Sequence, residues 1–223
     1  MDFRHEWKIE INKADHIALR NRLKAVMSAD SHAINGKYFI RSLYFDSPTD
    51  KALREKIDGV DRREKFRIRY YNGDTDYLCL EKKSKKNGFC NKQSVQISAE
   101  QAQAVINGDT AWMMDSYEPL LQELYCKMKT GMLAPKTVVD YVREPFVYKP
   151  GNVRVTFDYG IRTGLRSTDF LNAEFVTVPA GDAPILMEVK WDAFLPDVVR
   201  DAIQMPGRRA SAFSKYAQCR IYG

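Results

Sequence analysis

Short blocks of alternating apolar and polar residues recur along this chain and predict strands. The clearest is Arg63-Glu64-Lys65-Phe66-Arg67-Ile68-Arg69-Tyr70-Tyr71. Phe66, Ile68 and Tyr70 face one way there, and Lys65, Arg67 and Arg69 the other. Residues 6–11 set Trp7, Ile9 and Ile11 against Glu6, Lys8 and Glu10. Residues 38–46, 77–83, 92–97, 137–143, 152–158 and 185–191 also read as strands, and 173–178 as an edge strand. Asn72-Gly73 and Asn87-Gly88 are hairpin turns. Helices fill the gaps. Asn12 caps one that carries Ile17, Leu19, Leu23 and Val26, and residues 49–56 form a second. Ser98 and Gln101 make a capping box before a helical stretch over 99–134, whose stripe is Leu120, Leu121, Leu124, Tyr125 and Met128 and which Pro135 stops. Residues 196–204 and 211–219 read as the last helices. With strands from end to end and no repeat or linker, the pattern predicts a single α+β domain over 1–223, built on a largely antiparallel sheet.

The polar faces of these strands share a character. Arg67 and Arg69 recur as Glu81 and Lys83, then Lys92, then Tyr141 and Arg143, then Arg154, Thr156 and Asp158, then Glu188 and Lys190. Carboxylates stand two residues from a cation in Glu6/Lys8, Glu81/Lys83 and Glu188/Lys190. That offset places both side chains on one strand face, about 7 Å apart. A closed barrel of roughly eight strands would turn this face inward, with the helices packed outside. A cationic bore suits a polyanion, since so many positive charges are costly to withdraw from water alone. Carboxylates facing the same cavity supply hard oxygen ligands for Mg²⁺ or Mn²⁺, and the implied chemistry is phosphoryl transfer.

Composition agrees. The net charge of +6 and pI of about 9.0 favour anionic partners. Cys79, Cys90, Cys126 and Cys219 form no CxxC pair and read as buried free thiols in a reducing compartment. The first residues lack the apolar region of a signal peptide, and no apolar run approaches a membrane helix, so the expectation is a cytoplasmic protein. Walker A, GxGxxG, HExxH and nucleophile-triad patterns are missing, which fits catalysis without a covalent enzyme intermediate.

The chain resembles the VTC domain, the polyphosphate polymerase catalytic domain within the triphosphate tunnel metalloenzyme (CYTH-like) superfamily. The resemblance runs from Arg4 to Tyr216. It is carried by Glu6-Trp7-Lys8, Arg67-Ile68-Arg69-Tyr70-Tyr71, Glu81-Lys82-Lys83, Lys92, Tyr141-Val142-Arg143, Arg154-Val155-Thr156-Phe157-Asp158, Met187-Glu188-Val189-Lys190 and Phe213-Ser214-Lys215-Tyr216. It implies a closed, eight-stranded antiparallel tunnel that takes ATP and inorganic polyphosphate or triphosphate together with Mn²⁺ or Mg²⁺. VTC-type members move the γ-phosphate of ATP onto a growing polyphosphate chain. The phosphate-gripping residues it implies are Lys8, Arg67, Arg69, Lys83, Lys92, Arg143, Arg154, Lys190 and Lys215, with Arg67, Arg69, Lys83, Arg154 and Lys215 nearest the chemistry. Glu188 is the main metal ligand implied, and Glu6, Glu81 and Asp158 are secondary candidates. Relatives with an E-x-E-x-K start use both glutamates for metal. The order here is Glu6-x-Lys8-x-Glu10, which weakens Glu6 and Glu10 in that role. With no membrane segment of its own, this chain would need a membrane-protein partner to couple synthesis to translocation.

Plainer readings stand beside these. Arg67 and Arg69 have a salt bridge to Glu81 or Glu188 as their alternative, Glu188 a pair with Lys190, and Lys215 a solvated helix position. Lys85 and Lys86 are expected in solvent. Asp46 and Asp61 have no evident role, and His5, His16 and His32 are not read as catalytic. A triphosphate hydrolase is the alternative activity, with water as acceptor. Arg143, Lys149, Arg162, Arg166 and Arg208-Arg209 would extend a basic exit path and favour the polymerase. Nucleic acid is disfavoured, because Phe66 and Tyr70 alternate away from the arginines.

Overall fold

A computed structural model describes residues 5–87 and 89–221. Arg4 and Gly88 lie outside the described residues, so the start of the resemblance and one predicted turn residue are not placed. The strands are β1 (His5–Ile11), β2 (Ser28–Ala29), β3 (Tyr38–Asp46), β4 (Arg63–Tyr71), β5 (Leu78–Lys86), β6 (Phe89–Ile97), β7 (Ala134–Tyr148), β8 (Val153–Thr163), β9 (Val178–Pro179) and β10 (Ile185–Trp191). The helices are α1 (Lys13–Val26), α2 (Lys51–Ile57), α3 (Ala99–Asn107), α4 (Pro119–Gly131), α5 (Asp197–Ala202) and α6 (Lys215–Arg220).

The sheet runs β1-β10-β8-β7-β3-β4-β5-β6, with β2 added on β7 and β9 on β8. The path has two ends, β1 and β6, and no pairing joins them among the described residues. The α+β class is as predicted, but the closed eight-stranded barrel is not: the sheet is open. Alternation on a strand fixes which side chains share a face. It carries no information on whether the first strand meets the last, which depends on long-range pairing.

Local signals account for most boundaries. Asn12 and Ser98 each form the reciprocal capping box, with Asp15 and Gln101. The predicted 99–134 helix is two helices, α3 and α4, with a short 3-10 turn between them. Gly108 ends α3 in the left-handed conformation at φ 84°. Pro135 does not follow a helix end directly; it lies inside β7, which is longer than the predicted 137–143. The predicted edge strand at 173–178 reduces to the two residues of β9, and the final helix begins at Lys215 rather than 211.

Contacts divide the chain into two compact units. One comprises residues 1–39, 141–161 and 181–213, and the other 40–140, 162–180 and 214–223. Each has its own core. In the first, Val155, Phe157, Met187 and Val189 from β8 and β10 pack on Leu19 and Leu23 of α1 and Val199 of α5. In the second, Leu43, Phe45, Phe66, Ile68, Leu78 and Leu80 pack on Val105 of α3 and Leu121 and Leu124 of α4. The helices thus cover the apolar strand faces and leave the charged faces to other work. Of the cysteines only Cys219 is buried; Cys90 and Cys126 are exposed and Cys79 is intermediate, so burial is not their common feature. No described helix is long and apolar enough to cross a membrane.

Candidate phosphate-binding face

In the second unit, β3, β4, β5 and β6 pair antiparallel, and their register sets the charged face in rows. One row is Ser42, Arg69, Cys79 and Gln96; the next is Tyr44, Arg67, Glu81 and Ser94. Beyond these, Lys65, Lys83 and Lys92 stand directly opposite one another on three adjacent strands. Like charges in that position destabilise a ladder unless an anion compensates them.

Glu81 is the carboxylate of this face in β5 and is 1% exposed. Arg67 Nε donates to its Oε2 at 2.9 Å, with Nη2 at 2.7 Å from the same oxygen. Arg69 Nη2 lies 2.7 Å and Lys92 Nζ 2.6 Å from Oε1. Burial pushes the Glu81 carboxyl up, but the charges of Arg67, Arg69 and Lys92 more than reverse this and hold it well below the usual carboxylate range. Three cations therefore converge on one carboxylate. Arg69 Nε and the Ser42 hydroxyl, neighbours in register, are both buried without a hydrogen-bond partner among the described residues.

The charged face of the first unit is balanced instead. Lys8, Glu188 and Thr156 form one row across β1, β10 and β8, and Glu6, Lys190 and Arg154 the next. Lys190 Nζ is 2.5 Å from Glu188 and 3.3 Å from Glu6, and Lys8 Nζ is 2.8 Å from Glu6. Arg143 forms a bidentate pair with the fully buried Asp158, both contacts at 2.7 Å. Burial works against the Arg143 charge, and Asp158 more than restores it, so the guanidinium stays protonated far beyond neutral pH. Arg154 reaches Asp30 at 3.1 Å.

The predicted residues thus fall into groups. Arg67, Arg69, Lys83 and Lys92 share one face with Glu81; Lys8, Arg154 and Lys190 share another with Glu6 and Glu188. Arg143 and Asp158 are committed to each other. Lys215 is the first residue of α6 and half-buried. The Arg67–Glu81, Arg69–Glu81 and Lys190–Glu188 ion pairs, given above as plainer alternatives, are all present. Lys86 is exposed and Lys85 intermediate.

Two residues were missed. Tyr44 accepts a hydrogen bond from Arg67 Nη1 at 3.0 Å. Asp46 is organised rather than idle: it accepts from the backbone N–H of Ser47, Ala52 and Leu53 and from the Tyr216 hydroxyl at 2.7 Å. Alternation within 38–46 places Tyr44 and Asp46 on one face, which was the available signal. Asp61 accepts from the Asn87 N–H at 2.6 Å.

For a divalent metal, no group of three or more His, Cys, Asp or Glu side chains is arranged as a cage among the described residues. Glu6 and Glu188, bridged by Lys190, fit the sparser kind of site, in which one or two carboxylates act with phosphate oxygens and water.

No curated protein sequence matches the chain. Two solved structures share its fold. A candidate adenylate cyclase from Bacillus halodurans is 12% identical, with a TM-score of 0.51 over 85% of this chain and 80% of that one. The PH1012 protein from Pyrococcus horikoshii OT3 is 11% identical, with a TM-score of 0.51 over 99% of both. The VTC domain family model matches residues 3–222, nearly the whole chain, and this protein belongs to the VTC domain family.

Proposed function

We propose that this domain is a polyphosphate polymerase, which transfers the γ-phosphate of ATP to the end of an inorganic polyphosphate chain. Membership of the family supports an enzyme of polyphosphate or triphosphate chemistry. The observation that carries the finer reading is the convergence of Arg67, Arg69 and Lys92 on the single carboxylate of Glu81.

In the proposed reaction, a terminal oxygen of the polyphosphate chain attacks the γ-phosphorus. A new P–O bond forms as the bond to the bridging oxygen breaks, and ADP leaves with that electron pair. Negative charge spreads over the transferred group, and Arg67 and Arg69 are placed to stabilise it. Lys65, Lys83 and Lys92 would hold neighbouring phosphates. On the other charged face, Glu188 and Glu6 would supply carboxylate oxygens to a Mn²⁺ or Mg²⁺ ion, whose charge would neutralise phosphate oxygens bound to it.

The state of Glu81 makes it unsuited to activate a water acceptor. A carboxyl held well below its ordinary range is a poor general base. Water needs a proton removed as it attacks, whereas a terminal phosphate oxygen is already an anion. The test is incubation with ATP and Mn²⁺, with products sized on a gel and free phosphate assayed. Chain growth, lost in Arg67→Ala, is expected. Phosphate release with no chain growth would replace the polymerase by a hydrolase.

A further inference from the structure

Arg67 is held from two sides, and the second side leads to the C-terminal helix. Its Nε and Nη2 engage Glu81, and its Nη1 donates to the Tyr44 hydroxyl. Tyr44 is Arg67's register partner on β3 and is 3% exposed. Its ring stacks on that of Tyr216, with centroids 5.1 Å apart and planes inclined by 25°. Tyr216 is buried in α6 and donates its hydroxyl to Asp46 at 2.7 Å. Asp46 lies two residues from Tyr44 on β3 and is itself fixed by the N–H groups of Ala52 and Leu53 at the start of α2. One tyrosine from the end of the chain is therefore clamped at its ring by Tyr44 and at its hydroxyl by Asp46. Burial and the Asp46 charge push the Tyr216 phenol far above its ordinary range, so it remains the donor in this bond.

We propose that Tyr216 is a positioning residue: through its stack on Tyr44 it fixes the guanidinium of Arg67 for an incoming phosphate. This rests on the reading of Arg67 as a phosphate ligand. The physical reason lies in the competition for Arg67. With Tyr44 displaced, the Nη1 edge loses the hydrogen bond to the Tyr44 hydroxyl that directs it. A bidentate phosphate contact depends on that direction. Residue 216 thereby acts on a group 149 positions earlier (216 − 67).

A double-mutant cycle on inorganic tripolyphosphate binding by calorimetry tests this, with thermal melting recorded for every variant. Arg67→Ala is expected to weaken binding, and Tyr216→Leu to weaken it roughly ten-fold, the scale of one hydrogen bond to a charged group. In the Arg67→Ala background, Tyr216→Leu should cost nothing further, because its target is gone. Tyr216→Phe keeps the ring and should retain most of the affinity. A merely structural Tyr216 would give a loss that persists in the Arg67→Ala background, and that result overturns the proposal. Tyr44→Phe removes only the hydroxyl and decides the matter if Tyr216→Leu does not fold: weakened binding that vanishes in the Arg67→Ala background supports the coupling, and unchanged binding refutes it. Arg67→Ala binding as tightly as the parent protein would remove the phosphate-ligand reading itself, and the inference with it.

Discussion

Glu81 shows how one residue sets the character of a face. Its carboxylate is surrounded by three cations and shielded from water. Glu81→Gln would remove the negative charge on which Arg67, Arg69 and Lys92 converge. Breaking a buried pair in this way costs about 3 kcal/mol. The melting temperature should therefore fall, and added tripolyphosphate should raise it by more than it does in the parent protein. The pH dependence has a definite sign. Because the folded carboxyl titrates below its ordinary value of 4.5, its stabilisation is complete above that value and is lost as pH falls through the folded one. Glu81→Gln should flatten the acid limb of a stability-against-pH curve measured by denaturant unfolding. An acid limb as steep as the parent's would show that Glu81 is not the group responsible. Arg41 offers a second case. Buried on β3, it forms a bidentate pair with Asp140, both bonds 2.9 Å, and caps the carbonyls of Asn172 and Phe175. Asp140→Ala strands that charge, and loss of the folded state by circular dichroism at moderate urea is expected.

Among the elements, α2 is held by a residue outside it. Asp50 precedes the helix in a left-handed conformation, at φ 52°, and makes no side-chain cap. Asp46, at the end of β3, accepts from Ala52 and Leu53 instead. Asp46→Ala would remove this cap and the Tyr216 bond together, at a cost of about 2 kcal/mol. A lowered urea midpoint with an unchanged slope checks this; an unchanged midpoint would deny Asp46 the role. The same residue shows what the sequence made legible. That 38–46 is a strand follows from local pattern, as do β1, β4 and β10, the Asn12 cap and the Ser98–Gln101 capping box, because each signal is complete within a few residues. Asp46 appeared idle because its partners are a helix start six residues on and a tyrosine 170 residues away, and no periodicity encodes either. The same limit explains the barrel. Charged faces are readable strand by strand from Arg67, Glu81 and Glu188, whereas whether β1 pairs with β6 depends on long-range pairing that pattern does not contain, and the two are not paired among the described residues.

Over the whole chain, the excess of positive charge is not spread evenly between the two charged faces. On the face of β3 to β6, Arg67, Arg69 and Lys92 converge on Glu81, while on β1, β10 and β8 the cations Lys8, Lys190 and Arg154 meet Glu6, Glu188 and Asp30. A cation-rich face draws phosphate without help. A balanced one adds little net attraction but holds the oxygen ligands a divalent cation needs. Anion capture and metal capture should therefore separate by mutation. In metal-free buffer, Lys92→Ala should weaken tripolyphosphate binding and reduce its dependence on salt, since one fewer phosphate charge is neutralised. Glu188→Ala should leave that metal-free affinity within about two-fold, because deleting a carboxylate from a balanced face shifts only a screened interaction. If Mn²⁺ binds at Glu188 as proposed, adding it should raise the parent protein's affinity, and the same variant should lose that gain. Calorimetric titration of both variants, with and without Mn²⁺, reads all four quantities. Equal losses for the two variants in metal-free buffer would mean that the two charged faces do not divide the work in this way.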